Sequence, residues 1–121
     1  MTAFISGHRN ITDSEWKGHY VAAIDKAIAE GHDFIVCECA GADTRAQQYL
    51  RSEGIRRVTV YHMFDFPRVN IGFWSTVGGF ISDSQRDEAC TKASDYDIAW
   101  SRTDFSGTWA NIQRRKKLKT P

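Results

Sequence analysis

The sequence predicts a three-layer α/β sandwich, with a parallel sheet of about four strands and helices on both faces. Three observations predict it. Short apolar runs recur at Ala3-Phe4-Ile5, Phe34 to Cys37, Val58 to Tyr61 and Asp97 to Trp100, each of strand length. Stretches with helical spacing of apolar residues lie between most of them. Polar, glycine-bearing turns follow three of the runs and lead into helices. The order β-α-β-α-β over residues 3–61 argues for parallel pairing with right-handed crossovers.

Each element has its own justification. After the first strand, Ser6-Gly7-His8-Arg9-Asn10 is a polar loop, and Thr12-Asp13-Ser14-Glu15 is a capping box. The helix it opens carries Trp16, Tyr20, Ile24, Ala27 and Ile28 on one face and ends at Gly31. The second strand meets Glu38 and Gly41-Ala42-Asp43. The helix beyond them places Ala42, Ala46, Tyr49 and Leu50 at helical spacing and closes at Gly54. From Met63 to Ile81 the pattern breaks, with Phe64, Phe66, Phe73, Trp74, Pro67 and three glycines. So long a connection reads as an ordered excursion that covers the site or a subunit contact. Ser82-Asp83-Ser84 caps a third helix to about Ser94, with Ala89, Cys90 and Ala93 inward. After the fourth strand, Phe105-Ser106-Gly107-Thr108 leads into a last helix over Trp109 to Lys116, beyond which there is no room for a further strand of normal length.

Composition narrows the classes. The 121 residues fit one domain, 1–121, with one core. At 41% hydrophobic and 26% charged residues the mix is that of a soluble globular protein, and no apolar run reaches membrane-spanning length. No secretory leader is evident, so a cytoplasmic location is expected. A net charge of +1 gives no global attraction for nucleic acid. Cys37, Cys39 and Cys90 lack zinc-site spacing and read as reduced thiols, with a reactive thiol at Cys39 as the sharper alternative. No metal and no cofactor is expected.

In an open parallel sheet, ligands bind beyond the carboxyl ends of the strands where strand order reverses. With the order 3-2-1-4 that point lies between the first and fourth strands. It gathers the loops Ser6 to Asn10, Glu38 to Asp43 and Ser101 to Thr108. Ser106, Gly107 and Thr108 at a helix start suit a phosphate, or serve as a plain cap. Arg9 is a phosphate or carboxylate clamp, or a surface ion pair. His8 reads as a loop residue more than as a base. Asp43 caps its helix or holds a ribose hydroxyl. The dinucleotide and Walker fingerprints are absent. Arg114-Arg115-Lys116-Lys117 with Lys119 reads as a helix C-terminus more than as a nucleic-acid contact.

The ordered set Phe4-Ile5-Ser6-Gly7-His8-Arg9, Ala40-Gly41-Ala42-Asp43, Arg68-Val69-Asn70-Ile71-Gly72-Phe73-Trp74, Arg86-Asp87 and Ser106-Gly107-Thr108 resembles the SLOG superfamily. These are Rossmann-like proteins related to the Lonely Guy phosphoribohydrolases and the DprA-type fold. The likeness is to small bacterial or phage-type members and spans Phe4 to about Arg114. The resemblance implies a nucleotide or nucleotide-derived ligand at the carboxyl edge. Its expected binding residues are Ser6, Gly7, His8, Arg9, Gly41, Asp43, Arg68, Asn70, Ser106, Gly107 and Thr108. Some branches cleave the N-glycosidic bond of a nucleoside monophosphate, which would fall here to Glu38 or Asp43. The phosphoribohydrolase signature is missing, because Asn111 and Gln113 follow Thr108 without a carboxylate. Three expectations follow: a nucleotide binder with or without hydrolysis, a non-catalytic nucleotide sensor, and a nucleic-acid-binding module. A homo-oligomer is also expected, from the aromatic segment between Phe64 and Phe80 and the open sheet edge.

Overall fold

The computed structural model describes residues 1–119; residues 120 and 121, the end of the expected domain, lie outside the described residues. The elements run β1 (Thr2–Ser6), α1 (Asp13–His19), α2 (Val21–Ala29), β2 (Asp33–Val36), α3 (Ala42–Ser52), β3 (Val58–Met63), β4 (Ser75–Phe80), α4 (Asp83–Ala93), β5 (Tyr96–Ala99) and α5 (Gly107–Lys119). The strands form one parallel sheet in the order β4-β3-β2-β1-β5. This is a Rossmann-like α/β fold. The expected reversal of strand order stands, because β1 lies between β2 and β5.

The sheet has a fifth strand that the apolar pattern does not mark. β4 lies inside the stretch read as an excursion, and it pairs with β3 at the sheet edge. Five of its six residues are exposed, so it carries no apolar stripe. Gly78 has a local reason. A Cβ at Gly78 would come within 2.1 Å of the His62 ring, so only glycine lets that buried ring sit against the strand. The remaining excursion, residues 64–74, is tied down by Glu38, Gln47 and Asn70.

The first helix is kinked into α1 and α2 at Tyr20, whose φ and ψ are −120° and −46°. The backbone bonds Tyr20 N–H to Trp16 O and Ile24 N–H to Tyr20 O continue across the kink, at 3.0 Å each. The capping box at Thr12 and Glu15 forms in both directions.

Strand alternation sorts the core. Ala3, Ile5, Phe34, Val36, Val58 and Val60 face α1, α2 and α3, where Trp16, Tyr20, Ile24, Ala46 and Leu50 complete the larger cluster. Phe4, Ile35, Cys37 and Tyr61 face the other way, against Cys90 of α4. Each large side chain fully buried contributes ~1.5–3 kcal/mol, so the first face holds the fold. The second layer is joined largely by polar contacts. Arg115 of α5, buried, donates to Thr91 O, Ser94 O, Ser94 Oγ and Asp97 Oδ1 at 2.6–3.1 Å. A hollow lies above the carboxyl ends of β1 and β2, between the starts of α4 and α5.

Candidate functional site

A cavity of about 250 Å³ opens there, at the carboxyl ends of β1 and β2. From the loop after β1 come Ser6, Gly7, His8 and Arg9; from the end of β2 and the start of α3 come Cys37, Cys39 and Asp43. The first turns of α4 and α5 supply Asp83, Arg86, Asp87, Gly107, Thr108 and Asn111, and Phe4 closes the floor.

Two close approaches shape it. Gly41 has φ +78°, and a Cβ there would lie 2.3 Å from the Arg9 carbonyl oxygen. The Ala42 N–H donates to His8 O at 3.1 Å, so the β1 and β2 loops are seated on each other. At Gly7 an added Cβ would meet the Tyr20 hydroxyl at 2.3 Å and the Ala42 Cβ at 2.5 Å.

Ser106 caps α5: its Oγ accepts the Trp109 N–H at 3.0 Å, and its carbonyl accepts Ala110 N–H at 3.0 Å. The first two N–H groups of that helix, from Gly107 and Thr108, therefore lack an intrahelical acceptor. Both residues line the cavity. Ser6, which lines the same cavity, is only 6% exposed, and its Oγ has no hydrogen-bond partner among the described residues. A buried hydroxyl without a partner is an exception that calls for an explanation.

The rest of the lining is charged and mostly paired. Arg86 is buried, and its Nε and Nη2 donate to Asp87 Oδ1 at 3.2 and 3.1 Å. Asn111 Nδ2 donates to Asp87 Oδ2 at 3.3 Å. Burial pushes the Asp87 pKa up, against the pull of Arg86. Burial also works against the charge of Arg86, but the acidic groups around it outweigh that and raise its pKa. The Cys39 N–H donates to Asp43 Oδ2 at 3.1 Å, yet burial still pushes the Asp43 carboxyl up to about 7. At neutral pH it can therefore give or take a proton. The Cys37 and Cys90 sulfurs lie 3.6 Å apart, and their mutual contact and burial keep the Cys37 thiol protonated. Burial also raises the Cys39 thiol, against the reactive alternative.

Of the residues singled out in the sequence, Ser6, Gly7, His8, Arg9, Asp43, Gly107 and Thr108 meet in this cavity. His8 is engaged at one nitrogen, since its Nε2 accepts the Arg102 N–H at 2.7 Å, and burial beside Arg102 lowers its pKa. Five residues are placed elsewhere. Glu38 is buried and binds the N–H groups of Met63 and Arg68, with Arg68 Nε at 3.2 Å, so its carboxylate tethers the excursion and does not face the cavity. Arg68 is its partner. Asn70 is a turn residue closing on Trp74 N–H and C=O. Gly41 acts through packing, and Ser106 through capping. The sequence reading did not select Cys37, Cys39, Asp83, Arg86, Asp87 or Asn111 for the site. The signal available was the pair Arg86-Asp87 inside a helix with few apolar residues, where a buried arginine is the exception to be explained.

No family model and no curated protein matches the chain. The chain is similar to the solved structure of DNA processing protein A from Helicobacter pylori, described by its single-stranded DNA binding mode. The TM-score is 0.76 at 16% identity, over 100% of this chain and 63% of that one. The likeness is one of fold, and the chain spans 63% of the length of that protein.

Proposed function

We propose that the cavity binds a nucleotide through its phosphate. The phosphate sits against the free N–H groups and hydroxyl at the start of α5, with Ser6 Oγ opposite and Arg9 at the rim. The observation that carries this reading is the unpartnered Ser6 Oγ, in the same cavity as an open helix N-terminus at the reversal of strand order. The sugar lies toward Asp43, as the carboxyl within reach of a ribose or of an N-glycosidic bond. Glu38 is excluded from that chemistry by its three contacts to the excursion. The test is calorimetric titration with nucleoside monophosphates, followed by chromatography of the same samples for released base. Binding with release marks a hydrolase, and loss of that release in Asp43→Asn assigns the proton transfer to Asp43. Binding without release marks a sensor, and no binding removes the reading.

A second reading takes single-stranded nucleic acid as the ligand, with one nucleotide of the strand in the cavity. It is favoured by the fold shared with a single-stranded DNA-binding protein and by Phe105, 84% exposed beside the start of α5. Phe64 and Phe66, exposed beyond the carboxyl end of β3, extend the same edge. The basic run contributes less than its composition suggests, because Arg115 is buried and paired with Asp97 and Arg114 donates to Asn111. An oligonucleotide that binds far more tightly than the mononucleotide, with steep salt dependence, would select this reading. The homo-oligomer expected from the exposed aromatics belongs with these proposals; light scattering decides it.

A further inference from the structure

The cavity mouth holds a carboxylate where an anionic ligand would be expected. Asp83 is the first residue of α4, and its two oxygens are divided between two arginines of the cavity. Oδ2 lies 3.2 Å from Arg9 Nη2, and Oδ1 lies 3.4 Å from Arg86 Nη1. The two guanidinium groups also converge on Cys39 Sγ, at 3.7 Å each. Two cations reached from separate elements, one on the β1 loop and one on α4, thus share a single carboxylate in the cavity that Ser6 also lines. A carboxylate and a phosphate present oxygens to guanidinium groups in the same way.

We infer that Asp83 is an internal counter-ion that occupies the anion position between Arg9 and Arg86, and that the phosphate of a bound nucleotide displaces it. This rests on the nucleotide reading above and assigns that site a residue that sets its affinity. The ordinary role of an aspartate in a first helical turn is to complement the helix dipole, which needs no particular partner. Here the side chain reaches over the cavity to Arg9, and both remain 65% and 55% exposed. Exposed pairs of this kind are weak, so a ligand can replace the contact at small cost. The buried Arg86, fixed by Asp87 on its other side, stays in place to receive the incoming anion.

The test is titration of inorganic phosphate and adenosine monophosphate into the full chain, as wild type, Asp83→Asn, Arg9→Gln and the double variant. Both positions are exposed, so the variants keep the fold, and thermal melting verifies it. Asp83→Asn is expected to tighten both ligands about threefold to fivefold. In the Arg9→Gln background the same change is expected to give a smaller gain, of about twofold or less, because only the contact to Arg86 is left to free. Equal affinity in wild type and Asp83→Asn, or an undiminished gain in the Arg9→Gln background, overturns the inference and leaves the nucleotide reading standing. Absence of binding in both wild type and Asp83→Asn overturns the two together.

Discussion

The Tyr20 hydroxyl donates to the Ser6 carbonyl oxygen at 2.7 Å and accepts the Trp100 N–H at 3.1 Å. One side chain at the kink between α1 and α2 thereby ties the end of β1 to the residue after β5, across the point where strand order reverses. Tyr20→Phe keeps the ring but leaves Ser6 O and Trp100 N–H without this partner. The expected loss is ~1–3 kcal/mol in chemical denaturation, the penalty for an unpaired buried polar group. A ring kept at full stability would show that water replaces the hydroxyl.

Gly41→Ala tests the seating of the two loops. The residue has φ +78°, and its new Cβ would press on the Arg9 and His8 carbonyl oxygens. Strain of this kind costs ~1–3 kcal/mol for the backbone alone, and the clash adds to it. Gly31, also at positive φ but with open space around it, is the control: Gly31→Ala suffers only the backbone part. A larger fall in urea midpoint for Gly41→Ala than for Gly31→Ala is expected.

Asp43 gives a pH signature. Its pKa of about 7 in the folded chain lies above the usual 3.8, because burial disfavours its charge. Between these values the folded state holds a proton that the unfolded state has lost. Stability therefore falls as pH rises from about 4 to about 7, and is flat above that range as far as this group is concerned. Asp87 and Asp97, also raised by burial, slope in the same direction. Asp43→Asn keeps an acceptor for the Cys39 N–H and removes the charge. It is expected to flatten the profile and to gain on the order of a few kcal/mol at pH 8. A variant less stable than wild type at pH 8 would contradict the assignment.

Glu38→Gln separates tether from catalyst. The glutamine retains one acceptor for the N–H groups of Met63 and Arg68 and loses the ion pair with Arg68 Nε. Faster hydrogen exchange over residues 63–74 is expected, with nucleotide affinity unchanged. Lost affinity with unaltered exchange would return Glu38 to the site.

Much of this arrangement is legible in the chain, and the parts that are not have physical reasons. The strands with apolar runs declare themselves through their buried residues; β4 does not, because it is an exposed edge, where Gly78 leaves room for His62. The capping box at Thr12 and Glu15 is local and readable. Glu38 looks like a site carboxylate because it follows β2 beside the glycine turn. Its true partners lie 25 and 30 residues away, and sequence spacing carries no trace of them. Arg86, Asp87 and Asn111 reach the cavity only when α4 and α5 pack side by side, which no periodicity within either helix announces. Ser6, Arg9 and Thr108 were readable because the reversal of strand order alone brings their loops together.

The most direct test of the account is binding of a nucleoside monophosphate to wild type and to Ser6→Ala, measured by calorimetry with thermal melting of both. Ser6 Oγ has no partner among the described residues, so its removal should leave the melting temperature almost unchanged. The account predicts saturable binding by wild type and a loss of about tenfold in the variant, the worth of one hydrogen bond to a charged group. Equal affinity in the two proteins, or no binding by wild type, would contradict the claim that this cavity receives a phosphate.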